Sequence, residues 1–173
     1  MRYIILLLSL LLAGCSAAAA GQHAEVQFKP HGSAGEAHHG KAHDEPTPYD
    51  PKANAAQDIE AALAAAKAEN KKALLVFGAN WCHDSRALAA HFEKPRFQTL
   101  IQENYKLAYI DVGQKNRNID QAQKFGVDSI VGSPTVFITR PDGNVLNAET
   151  APTWRNAASR DEESIWTYFE SYR

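Results

Sequence analysis

A short apolar strand that stops at a cysteine constrains the fold of this chain more than any other feature. Ala73-Leu74-Leu75-Val76-Phe77 is a continuous apolar run of the kind buried on both faces of a sheet, and Gly78-Ala79-Asn80 then supplies a turn. Residues 85–92 read as helix, with Leu88 and Phe92 four apart on one face. Cys82 therefore stands at or near a helix N-terminus, where unpaired backbone N–H groups and the positive end of the helix dipole favour thiolate over thiol. Most unpaired cysteines are small buried apolar residues. The strand-end position and the adjacent Trp81 favour a reactive one here.

The remaining pattern places this strand inside a single domain. The segment 55–72 is rich in Ala, Glu, Lys and Leu, with Ile59, Leu63 and Ala66 on one face, and reads as a helix beginning near Asn54. After the cysteine helix come a break at Pro95, a helical piece over 97–101, a strand at 107–112, a polar loop to Asn118, and a helix over 119–125 ended by Gly126. A strand over 134–139 is followed by the turn Pro141-Asp142-Gly143-Asn144 and a return strand through Val145 and Leu146. Ser159 with Glu162 matches a capping box for a last helix, whose apolar stripe is Ile165, Trp166, Phe169 and Tyr172. Two strands joined by a crossover and two by a hairpin require an α/β fold, a central mixed sheet flanked by helices.

The N-terminal third is of a different kind. Residues 4–12 are apolar after Met1-Arg2-Tyr3, too short to span a bilayer, and read as the core of an export signal. Leu12-Ala13-Gly14-Cys15 resembles the lipobox of bacterial lipoproteins, which implies a signal peptide over 1–14 and lipid on Cys15, with anchoring in the membrane. An ordinary signal peptide cleaved within 17–20 would instead leave a soluble periplasmic protein. Ser16 after the cysteine resembles the pattern of outer-membrane retention in a Gram-negative cell envelope.

Residues 15–52 are dominated by Ala, Gly, Pro and His, and such a segment cannot offset its own ordering entropy, so a flexible tether is expected there and the folded domain over 53–173. Five of the seven histidines lie in the tether, and His38, His39 and His43 are candidates for weak, reversible metal binding. A polar linker that happens to be His-rich is the simpler explanation, because no fixed scaffold orients these ligands. A net charge of −2 with scattered basic residues gives no support for nucleic-acid binding. No cofactor is expected.

Trp81-Cys82-His83-Asp84-Ser85 resembles the Trp-Cys-x-x-Cys active site of the thioredoxin superfamily with serine in place of the second cysteine. Gly132-Ser133-Pro134-Thr135 resembles that superfamily's Gly-x-Pro-Thr segment. The resemblance covers about 54–173 and implies a thioredoxin-like fold in which Ser133 and a cis Pro134 lie beside Cys82 and offer backbone groups to an extended substrate. It implies catalytic roles for Cys82 and Ser85, and substrate contacts from Trp81, His83, Ser133, Pro134 and Thr135. Val76 stands where many thioredoxins keep a buried acid, and 128–131 lengthens the approach to Gly132.

The serine changes the chemistry. A hydroxyl is essentially un-ionised near pH 7 and cannot replace the attacking thiolate that releases a mixed disulfide. Cys82 is left with monothiol exchange on protein disulfides or a small thiol, with Ser85 donating a hydrogen bond to the thiolate. Asp84 beside the sulfur would oppose ionisation and a protonated His83 would favour it. Two other readings stay open: a non-catalytic module that captures a partner peptide, and a Cu or Zn carrier using Cys82 with His83. His91, nine residues on, would point to the opposite side of the helix.

Overall fold

The computed structural model describes residues 45–173. In this region the chain runs α1 (Ala55–Ala68), β1 (Lys72–Gly78), α2 (His83–Phe92), α3 (Pro95–Asn104), β2 (Tyr105–Asp111), α4 (Ile119–Gln123), β3 (Thr135–Thr139), a 3-10 helix (Ala151–Ser159) and α5 (Glu162–Glu170). The strand order is β2-β1-β3, with β1 parallel to β2 and antiparallel to β3. The central strand is the one the sequence marks most clearly, and residues 73–78 of it are fully buried.

Alternation along β1 divides the core into two layers. Ala73, Leu75 and Phe77 face α1 and α4, meeting Ile59, Ala66, Phe125 and Phe137. Leu74 and Val76 face α2, α3 and α5, meeting Leu88, Phe92, Phe97, Trp154, Ile165 and Phe169. Both faces of the sheet are thus covered, as a run without polar alternation requires.

Local sequence sets the boundaries. Asn54 caps α1, its side-chain oxygen accepting the Gln57 N–H at 3.2 Å, and α1 ends at Ala68 before the left-handed Asn70. Pro95 is the first residue of α3, where its missing N–H costs nothing. α5 is capped by Asp161, which accepts the Ser164 N–H at 2.8 Å, while Ser159 ends the preceding 3-10 helix. The capping box expected from Ser159 and Glu162 is therefore not the one that forms. Asp161 stands nearer the first helical turn and makes the bond itself.

The expected return strand is reduced to a single bridge, Thr139 to Val145, with Leu146 N–H donating to Ile138 C=O at 2.8 Å. The side chain of Asn147 occupies the rest of the outer edge of β3. Its oxygen accepts the Ile138 N–H and its amide donates to Val136 C=O, both at 2.8 Å, and the same amide donates to the Tyr168 hydroxyl. One buried carboxamide thereby does the hydrogen bonding of a strand residue. Asn147→Ala is expected to lower unfolding free energy by about 1–3 kcal/mol through the orphaned backbone groups, read as a fall in urea midpoint at unchanged m.

Residues 45–52, expected to belong to the tether, are built into the domain. Tyr49 is fully buried in the α2 layer, and its backbone exchanges hydrogen bonds with the Asn80 side chain: Tyr49 N–H to Oδ1 at 3.1 Å and Asn80 Nδ2 to Tyr49 C=O at 2.8 Å. The domain boundary lies before Tyr49 rather than at 52, because one large aromatic and one reciprocal amide pair suffice to order a proline-rich strap. Cys15, the signal segment and His38, His39 and His43 lie outside the described residues.

Candidate functional site

The site forms where β1 runs out. Gly78 ends the strand against the Tyr49 ring, with which a Cβ at this position would overlap. The chain then turns through a bond from Cys82 N–H to Ala79 C=O at 3.0 Å. Cys82 is the N-cap of α2, extended at φ −85° and ψ 119°, and no side chain caps the first turn. The sulfur therefore lies at the uncapped, electropositive N-terminus of a ten-residue helix, in a residue that is only 8% exposed.

Opposite it stands the loop that opens β3, with a cis bond between Ser133 and Pro134. Cys82 Sγ donates to the Ser133 carbonyl at 3.0 Å. Ser133 Oγ and Ser85 Oγ share a hydrogen bond at 2.8 Å, and Ala79 N–H donates to Ser85 Oγ at 3.4 Å. Ser85 is wholly buried and Ser133 nearly so, which makes these hydroxyls mutual partners inside the protein. Tyr49 reaches the same helix turn, its hydroxyl donating to Ser85 C=O at 3.5 Å, and burial holds its phenol pKa well above the usual value. The wall around the thiol is thus a hydrogen-bonded lattice joining β1, α2, the Ser133 loop and the N-terminal strap.

Cys82, Ser85, Ser133 and Pro134 are brought together as expected from the sequence. Ser85 acts differently from expectation: its hydroxyl is bonded to Ser133 and Ala79, so it braces the loop instead of donating to the sulfur. Asp84, expected beside the sulfur, turns to the 3-10 helix and accepts the Ala158 N–H at 2.8 Å. Thr135 is buried, with its hydroxyl donating to Gly132 C=O at 3.0 Å, and only its backbone is left for a substrate contact. His83 is exposed and stands 3.6 Å from Glu45, which also pairs with Arg86 at 3.2 Å. His91 packs against Phe97 beside Lys94, and desolvation first, then Lys94, lowers its pKa.

Trp81 is half exposed, held by a bond from its Nε1 to Gly113 C=O at 2.7 Å. Val131, two residues before Ser133, is 56% exposed. Among the described residues these are the two large apolar side chains left open to solvent, and they stand on the two loops that meet at the sulfur. Sequence reasoning missed Val131, although an apolar residue ahead of Gly-Ser-Pro in a polar stretch was a visible signal. It also missed Asn80, whose role depends on a partner 31 residues away. Among the described residues no three metal-binding side chains cluster.

A scan against family models matches the thioredoxin-like family over residues 54–141. No curated protein matches the chain. Among solved structures, a disulphide isomerase from Xylella fastidiosa Temecula1 is similar at 35% identity and TM-score 0.68, covering 73% of this chain and 96% of that one. The C-terminal domain of Neisseria meningitidis DsbD in the reduced form is similar at 22% identity and TM-score 0.49, covering 68% of this chain and 96% of that one. A family model spanning just over half of the sequence, and a relative that this chain covers almost end to end, agree with a sheet whose central strand delivers a cysteine to a helix N-terminus: the chain belongs to the thioredoxin-like family.

Proposed function

We propose that this protein performs thiol–disulfide exchange through the single thiol of Cys82, acting on disulfides of polypeptides or of a small thiol. The observation that carries this reading is the placement of Sγ at the N-cap of α2, 3.0 Å from the Ser133 carbonyl. Likeness to a structure described as a disulphide isomerase supports it.

In the resting protein the Cys82 thiol donates a hydrogen bond to the Ser133 carbonyl. Loss of the thiol proton to solvent frees a thiolate at the helix N-terminus, which attacks one sulfur of the client disulfide. The client S–S bond breaks, a Cys82–client disulfide forms, and the second client sulfur leaves as thiolate. A thiolate from the client itself, or from an external small thiol, then attacks the client sulfur and returns Cys82. When the client supplies that thiolate, the net result is isomerisation with no change in oxidation state. Ser85 takes no electron pair in this cycle; it holds Ser133 in place. Trp81, Val131 and the Ser133–Pro134 backbone line the approach, with His83 at its margin.

A direct test is intact mass measurement after exposure to a peptide mixed disulfide. One peptide per chain is expected, removed by dithiothreitol and absent in Cys82→Ser; a native protein that takes up no peptide would overturn the exchange reading. The exposed Trp81 and Val131 favour partner capture as a second reading, and retention of a client by Cys82→Ser would support it.

The reading extends to location: export, lipid on Cys15 and a periplasmic domain tethered to the outer membrane, with weak metal binding by His38, His39 and His43. Cys15→Ser is expected to move the protein from the membrane fraction to the soluble periplasmic fraction, measured by immunoblot after cell fractionation. Continued membrane association would remove the lipid anchor from the proposal.

A further inference from the structure

Arg155 is the feature of the site that the exchange chemistry leaves unused. It lies in the 3-10 helix Ala151–Ser159, which packs against α2 and β3, and its aliphatic stem crosses Gly132 so closely that a Cβ there would meet Arg155 Cβ at 2.5 Å and Cδ at 2.6 Å. The glycine before Ser133 therefore makes room for this side chain. Gly132 is adjacent to the residue whose carbonyl touches the sulfur, so the arginine is seated on the loop that faces Cys82.

Among the described residues its charge is not committed elsewhere. Arg86 pairs with Glu45, Arg96 with Glu163, Arg117 with Asp111 and Arg173 with Glu170, while Arg160 lies over the Trp154 ring. Arg155 is exposed and makes no ion pair or side-chain hydrogen bond with any described residue. Arg140 is also free of such partners, but it sits at the 140–144 turn, at the opposite end of β3 from Ser133. The nearest acid on α2, Asp84, is turned to the Ala158 N–H. The packed stem limits the freedom that the guanidinium would lose on binding, and its planar fork suits a carboxylate.

Building on the exchange reading, we infer that Arg155 is a specificity-determining residue that selects clients carrying a carboxylate beside the reacting sulfur, an acidic residue next to a cysteine in an extended polypeptide. Trp81 and Val131 supply the apolar contacts of the same approach, and Arg155 supplies the charge.

The test uses the full chain and three peptides that differ only beside their cysteine, with Glu, Gln or Lys, each activated as a 2-thiopyridyl disulfide. Cys82 thiolate attacks the peptide sulfur, the bond to the thiopyridyl sulfur breaks, and the departing group takes up a proton on its ring nitrogen to give 2-thiopyridone, whose absorbance gives the rate. The native protein is expected to react faster with the Glu peptide than with the Lys peptide, a preference that fades as salt is added. Arg155→Gln should shrink the Glu-to-Lys rate ratio about twofold to fivefold, the range for an exposed charge pair, Arg155→Lys should restore much of it, and Arg155→Glu should invert it. A substitution that merely disturbed the loop would slow all three peptides alike; an unchanged ratio overturns the inference while leaving exchange intact. Failure of the native protein to react with any peptide overturns the exchange reading and this one with it.

Discussion

Ser85→Cys is expected to abolish the lasting mixed disulfide and convert this protein into a dithiol reductant. In the native chain, no second thiol among the described residues stands beside Cys82 to attack its Sγ in the adduct and expel the client thiolate, because the side chain at position 85 is a hydroxyl already bonded to Ser133 and Ala79. With a client that carries no further thiol, the adduct should persist until an external thiol arrives. A thiol placed at position 85 attacks Cys82 Sγ from within the same helix turn, the Cys82–client bond breaks and the client sulfur leaves as thiolate; an intramolecular reaction of this kind has an effective concentration of millimolar or far more. The expected products are an internal disulfide in the protein and two free thiols on the client; two protein thiols are oxidised as one client disulfide is reduced. Mass spectrometry separates the outcomes: a peptide adduct in the native protein, and in Ser85→Cys an unmodified mass lowered by the two lost hydrogens. A long-lived adduct in Ser85→Cys would mean that the braced loop keeps position 85 away from the sulfur. The substitution also weakens two buried hydrogen bonds, so a loss of about 1–2 kcal/mol in stability should accompany the gain in turnover.

What the sequence disclosed about this site follows from how local each contribution is. β1 was legible because an uninterrupted apolar run has few other uses, and Cys82 at the helix start follows from the turn after it. The meeting of Cys82 with Ser133, 51 residues later, was legible only through resemblance, since spacing alone does not bring two loops together. The roles of Ser85 and Asp84 were not legible. A serine's hydroxyl and an aspartate's carboxylate go to whichever donor the fold presents, here Ser133 Oγ and the Ala158 N–H, and those partners lie 48 and 74 residues away. Asn147 hid the fate of the return strand in the same way. A carboxamide that imitates backbone leaves no alternating pattern behind, so the hairpin expected from Pro141-Asp142-Gly143-Asn144 closes with a single bridge.

Tyr49→Ala is expected to cause the largest loss of stability of the substitutions considered, about 3–5 kcal/mol, as for other large aromatics removed from a core. Compositional reasoning passes over this residue because a lone tyrosine between Pro48 and Asp50 reads as linker. Yet its ring lies on Gly78 and edge-on to Tyr109 at 5.3 Å between centroids, beneath the first turn of α2. Against a domain stability of roughly 5–15 kcal/mol, that loss should lower the melting temperature by on the order of 10 °C or more, measured by circular dichroism. Tyr49→Phe keeps the ring and gives up only a long hydrogen bond, so it should stay within about 1 kcal/mol of the native protein near neutral pH. The two variants part again in alkali. Burial raises the Tyr49 phenol above its ordinary value, so the folded state keeps a proton that the unfolded chain loses from about pH 10 upward. The stability tied to that proton is fully present below pH 10 and is lost as pH rises toward the folded-state value. Tyr109 and Tyr105 are shifted the same way, chiefly by burial, and they keep part of this alkaline decline in every variant. Tyr49→Phe should flatten the rest. A Tyr49→Ala protein that melts with the native one would return residues 45–52 to the tether and leave the floor of the Cys82 site without its N-terminal support.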